Sequence, residues 1–121
     1  MILILGGKYQ GKREFAVKIS PNSEILNITE YSGKQEITGK IWTGFNEWFR
    51  NDPESAAKKA SEIFTEDTDV ILLVEEVGSG IVPLSIDDRK YREGLGRTVI
   101  LLASRAEAVY RVFAGIPEKI K

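Results

Sequence analysis

Apolar residues along this chain fall into two patterns. Ile2 to Leu5 and Val70 to Val74 are unbroken runs, ILIL and VILLV, and the lack of polar alternation predicts strands covered on both faces of a parallel sheet. Elsewhere apolar positions recur every three or four residues. Phe15, Ala16 and Ile19 predict a helix that begins at Lys12 and stops before Ser20-Pro21-Asn22. Phe45, Trp48 and Phe49 share one helical face, which reads as core or, alternatively, as an aromatic platform for a base.

Asn51-Asp52-Pro53-Glu54 is a helix start, with a capping residue, proline in the first turn and acids where the dipole favours them. Its buried stripe is Ala56, Ala60, Ile63 and Phe64, with Lys58, Lys59 and Glu62 toward solvent. Tyr91, Leu95, Val99, Leu102 and Ala106 predict a long last helix from Asp87-Asp88. Gly94 and Gly96 interrupt it at about 1 kcal/mol each relative to alanine, marking a kink or a close approach by another backbone.

Shorter strands are predicted at Glu24 to Ile28 and at Ala108 to Ala114, the second ended by Gly115-Ile116-Pro117. The polar, glycine-containing stretch Tyr31 to Lys40 reads as a loop and Glu66 to Asp69 as an acidic connection. Strands alternating with helices predict an α/β fold, and 121 residues without an evident linker predict one domain over 1–121.

Composition narrows the chemistry. With 42% apolar and 29% charged residues the chain has the balance of a soluble globular protein. Its formal net charge of -1 gives no bulk attraction for nucleic acid, so any anion site is local. The absence of cysteine removes disulfides and thiolate metal sites, and the absence of histidine removes imidazole chemistry. No apolar run is long enough for a membrane span, and the expected location is the cytoplasm.

The glycine turn after the first run is where chemistry concentrates. Gly6 and Gly11 are four residues apart with Lys12 following, the P-loop pattern G-x-x-x-x-G-K up to its last place, where Arg13 stands instead of Ser or Thr. Strand, glycine turn and helix supply unpaired amides and a positive dipole end, to which Lys12 adds a full charge. The candidate phosphate cradle is Gly6, Gly7, Lys8, Tyr9, Gln10, Gly11, Lys12 and Arg13. The plainer alternative is a tight turn with a solvated lysine.

Glu75 and Glu76 end the second apolar run. In open parallel sheets ligands gather at the carboxyl ends of strands, so these acids stand beside the glycine turn if the two strands are neighbours. Glu76 is then a candidate catalytic carboxylate, holding magnesium through water or accepting a hydroxyl proton; the alternative is a solvated pair. Gly78 and Gly80 predict a backbone turn behind them. Arg89, Lys90, Arg92 and Arg97 make a local basic patch that pairs with Asp87, Asp88 and Glu93 or meets a phosphate.

The stretch VEEVGSGIVP is similar to the segment NEVGxGIVP of the adenosylcobinamide kinase/adenosylcobinamide-phosphate guanylyltransferase family. GGKYQGKR resembles that family's GGxxSGKS, and YREGLGR followed by LLASRAEAVYRVFAGIPEKIK resembles its carboxyl-terminal pattern. Together these cover roughly half of the chain. The resemblance implies a P-loop, RecA-like α/β parallel-sheet sandwich, a place in cobalamin assembly, GTP or ATP with Mg2+ as cofactors, a cobinamide-type substrate and a homo-oligomer. By position it implies that Gly6, Gly7, Gly11 and Lys12 cradle phosphates and that Glu76, Gly78 and Gly80 form a second wall beside Glu75. Arg92, Gly96 and Arg97 match the pattern without an assigned role.

The departures are as specific. The chain is shorter than the bifunctional enzymes in the region where they carry a guanylylated histidine. It holds no histidine at all, and Asn46 in TGFNEWFR stands where shortened members commonly have one. Val99-Ile100 replaces an Asn-Gln pair, and Arg13 replaces the magnesium-binding hydroxyl but is long enough to reach a phosphate or Glu75 and Glu76. Two functions follow as expectations. One is a nucleotide-dependent kinase in which Lys12 and Glu76 act on the transferred phosphoryl group; the other is a non-catalytic scaffold or partner subunit that keeps the loop as a turn.

Overall fold

The computed structural model describes residues 1–76 and 85–121. Six strands form one sheet in the order β2-β3-β4-β1-β5-β6: β1 is Ile2–Gly6, β2 Glu24–Asn27, β3 Lys40–Thr43, β4 Ile71–Glu75, β5 Ala108–Phe113 and β6 Ile116–Lys119. The first five run parallel and β6 returns antiparallel to β5. The helices are α1 Lys12–Ile19, α2 Phe45–Asn51, α3 Pro53–Ile63 and α4 Ile86–Arg105. This is a P-loop-like α/β arrangement.

The two unbroken apolar runs occupy the centre, β1 beside β4, because alternate residues of each feed different cores. Leu3, Leu72 and Val74 join the larger core built with Trp42, Phe45, Phe49, Phe64, Tyr91, Leu95 and Leu102, while Ile4, Ile71 and Leu73 join a smaller one with Ala16 and Val112. The face under α2, α3 and α4 therefore carries most of the buried aromatic area, and α1 packs on the other. Phe45 and Phe49 are fully buried, which decides for core over base platform.

Two strands escape the apolar pattern. Ile41 and Trp42 begin too short a run to stand out, yet they pair with Ile71 and Leu72 and make β3. The segment Ile116–Lys119 continues as an edge strand past the turn at Ala114 and Gly115, both at positive φ, where the proline had suggested an end. Proline is tolerated there because an edge strand need not donate on its outer side. Ile28 leaves its strand for a single 3-10 turn capped by Asn27. The long α4 runs through both glycines, and what comes close is a side chain and not another backbone: a Cβ at Gly94 would stand 3.2 Å from the Phe49 ring, and one at Gly96 would meet nothing within 4 Å.

The chain leaves β1 over one face of the sheet through α1 and leaves β3 and β4 over the other through α2, α3 and α4. Opposite departures from adjacent strands open a crevice at their carboxyl ends, the place where open α/β sheets bind ligands.

Candidate functional site

Register places the two halves of the predicted site together. Gly6 of β1 is opposite Glu75 of β4, and the Glu76 amide donates to the Gly6 carbonyl at 2.9 Å. The glycine turn and the strand-end acids are therefore one structure. Between them and the start of α2 lies a cleft of about 660 Å3, lined by loop residues Lys8 to Arg13 and by Gly44, Asn46, Arg50, Glu75 and Tyr91 among others. Val77 to Leu84, with Gly78 and Gly80 of the predicted second wall, lie outside the described residues.

The loop is held by its neighbours on the β5 side. Gln10 Oε1 accepts from the Ala114 amide at 2.7 Å, and the Gly115 amide donates to the Gln10 carbonyl at 2.8 Å. Gly11, at φ 101°, then passes so near that a Cβ would meet the Gly115 Cα at 3.1 Å. The β5–β6 turn thus clamps the middle of the loop, leaving Tyr9 fully exposed at its tip with φ 58°.

Lys12 turns back on the loop, its Nζ donating to the Gly7 carbonyl at 2.6 Å. Burial pulls its ammonium below the ordinary lysine value, while the carboxylates of Glu75, Glu76 and Glu14 oppose that shift. A half-buried cation facing acids and carrying one carbonyl bond has donor capacity left for an anion. Arg13 is exposed and, among the described residues, makes no ion pair. The expected reach of Arg13 to Glu76 is taken instead by Arg111 of β5, whose Nη2 lies 3.1 Å from Glu76 Oε2.

Asn46 is the residue that sequence reasoning left without a role. Its Nδ2 donates to the Glu75 carbonyl at 2.8 Å and its Oδ1 accepts from the Glu75 amide at 2.8 Å, so the side-chain amide pairs with the end of β4 as another strand would. Nδ2 also reaches the Tyr91 hydroxyl at 3.1 Å. β3 pairs with β4 only at its Ile71 and Leu72 end, and Asn46 supplies the missing partner at the other. It fixes the backbone from which the Glu75 carboxylate projects. An amide has no nucleophilic lone pair like that of imidazole, so Asn46 orients and does not carry a transferred group.

Arg92 also gains a position, its Nε lying 3.2 Å from Asp88 Oδ2 one helical turn earlier. Asp88 takes Arg50 of α2 on its other oxygen at 3.5 Å. The predicted basic patch thus resolves in part into ion pairing.

The model of a protein family, described as cobinamide kinase / cobinamide phosphate guanyltransferase, matches residues 39–120. The chain belongs to this family. The matched stretch contains Asn46, Glu75, Glu76, α4 and both carboxyl-terminal strands, and it begins after the glycine loop. No curated protein matches the chain. Membership relates the protein to cobalamin biosynthesis and to nucleotide-dependent transfer. Among the described residues no helix is long and apolar enough to cross a membrane, and no group of three or more acidic side chains is placed to hold a metal ion.

Proposed function

We propose that this member of the cobinamide kinase / guanyltransferase family binds GTP or ATP in the cleft and transfers a phosphoryl group to a cobinamide side-chain hydroxyl. The observation that carries the reading is the pairing of Gly6 with Glu75, which sets a lysine-bearing glycine loop and a carboxylate on one crevice wall. Phosphates would replace the Gly7 carbonyl as the partner of Lys12 and take the open amides at the start of α1. Little covalent chemistry is demanded of the protein in phosphoryl transfer, so positioning and charge account for most of the effect.

The acids divide their roles. Glu76 is tied to Arg111, which leaves Glu75 as the carboxylate free to face the cleft and accept the acceptor hydroxyl's proton. For Mg2+ the fit is reduced by Arg13, which cannot ligate; Glu75, with water and substrate phosphates, is the set that would hold it, and the ion would offset phosphate charge. The same proposal includes a homo-oligomer, checked by light scattering.

A second reading, a non-catalytic partner subunit, is favoured by one arrangement: Lys12 bonded back to its own loop, next to Arg13 where the hydroxyl belongs. Calorimetric titration of GTP and ATP, with and without Mg2+, separates them. The kinase reading expects binding that Lys12→Ala abolishes and Arg13→Ser strengthens when Mg2+ is present. Absence of heat and of thermal shift at millimolar nucleotide would remove it in favour of the partner subunit.

A further inference from the structure

The cleft has a second cationic end. Arg50, on the last turn of α2, lays its guanidinium over the Tyr91 ring, its Cζ 4.0 Å from the ring centroid. Its edge is held by Asp88 at 3.5 Å, and the same carboxylate is shared with Arg92 at 3.2 Å. Asp88 is thus divided between two guanidiniums. The Arg50 side chain stays 56% exposed while the Asp88 side chain is 19% exposed, so the arginine that lines the cleft keeps N–H groups open to it.

Stacking matters for what such a group recognises. A free surface arginine loses rotamer entropy when it grips an anion; one already flat on a buried ring and anchored at one edge loses less. Its remaining N–H groups form a planar fork matched to a phosphate. Tyr91 is itself fixed, being 4% exposed with its hydroxyl bonded to Asn46, which in turn holds Glu75. One bonded chain therefore runs from the glycine-loop wall to Arg50.

We propose that Arg50 is a second phosphate-binding point of this cleft, separate from the glycine loop. The inference rests on the cleft being the nucleotide site. The phosphate has two sources, the nucleotide's own terminal phosphate or a phosphate on the other ligand, and the same chemistry recognises both.

The test is calorimetric titration of the full chain with GTP, GDP and inorganic phosphate at one low ionic strength, for the wild type, Arg50→Gln and Arg50→Lys. Phosphate titrations are run without nucleotide and at GTP saturation. If the second ligand supplies the phosphate, the GTP-saturated wild type still binds inorganic phosphate and Arg50→Gln weakens this at least tenfold, leaving GTP affinity unchanged. If the nucleotide supplies it, Arg50→Gln lowers affinity for GTP at least tenfold and for GDP little. In either case Arg50→Lys keeps part of the effect, because the charge remains and the flat fork is lost.

An Arg50→Gln protein that melts like the wild type and binds phosphate, GTP and GDP unchanged overturns the inference. Failure of the wild type to bind any nucleotide overturns the nucleotide reading instead, and the phosphate titration without nucleotide still judges Arg50.

Discussion

Replacing Asn46 tests whether a side chain completes the sheet beside the site. In Asn46→Leu both the amide and the carbonyl of Glu75 lose their 2.8 Å partners, and the Tyr91 hydroxyl loses one at 3.1 Å. A fully buried unpaired backbone group costs about 1–3 kcal/mol. Glu75 and Asn46 are half-buried, so water recovers part of this. The low end for two groups gives about 2–3 kcal/mol, a large share of the roughly 5–15 kcal/mol typical of a domain. At this chain length that lowers the melting temperature by roughly 8–12 °C.

Urea unfolding followed by circular dichroism measures the loss, and Asn46→Asp sharpens it. An aspartate keeps the acceptor for the Glu75 amide but sets a second oxygen against the Glu75 carbonyl. Protonation turns that oxygen into a donor, so the folded state raises the introduced carboxyl's pKa. Stability relative to wild type is then recovered as pH falls through that raised value, and the deficit is complete above it. If Asn46→Leu unfolds within about 0.5 kcal/mol of wild type, the range of an ordinary surface change, Asn46 does not serve as the rung that holds Glu75.

Three further outcomes follow. Gly44, at φ +76°, lies under the Asn27 amide, which a Cβ would overlap, so Gly44→Ala should cost more than about 2 kcal/mol in the same unfolding assay. Arg111→Gln removes an ion pair that is 57% and 36% exposed, so stability should change by less than about 1 kcal/mol, while lost nucleotide affinity would show that Glu76 needs to be held. Lys12 has a folded-state pKa below its unfolded value of 10.5, so the unfolded chain binds more protons between the two, and wild-type stability should rise with pH across that window. Lys12→Met should lack this rise; denaturant midpoints measured from pH 8 to 10.5 check it.

Legibility in the sequence followed the physical range of each signal. The central strands were readable because burial on both faces demands apolar side chains at every position, and ILIL and VILLV satisfy that demand locally. The start of α3 was readable because capping is chemistry between near neighbours: the Asp52 side chain accepts from the Ser55 amide at 3.3 Å beside Pro53. β3 and β6 were not readable, since Ile41-Trp42 is too short an apolar run and Pro117 reads as an end, and each owes its strand state to the neighbour it pairs with.

The candidate site divides the same way. Its loop is a contiguous motif, and its acids end an obvious strand, so Gly6 to Arg13 and Glu75-Glu76 could be named from residue order alone. That Gly6 faces Glu75 depended on strand order, which puts residues 69 positions apart in register. Asn46, Arg50, Tyr91 and Arg111 carry no local mark: an asparagine, two arginines and a tyrosine at a helical core position are ordinary until the fold aims them. The sequence by itself determined the central strands, the helices, the loop and the family's likeness, because those depend on nearest neighbours and on apolar period. Only tertiary structure decided that Arg111 rather than Arg13 meets Glu76, and that Asn46 completes β4 where a histidine was expected, because hydrogen bonds and ion pairs form between whatever the folded chain brings within 3 Å.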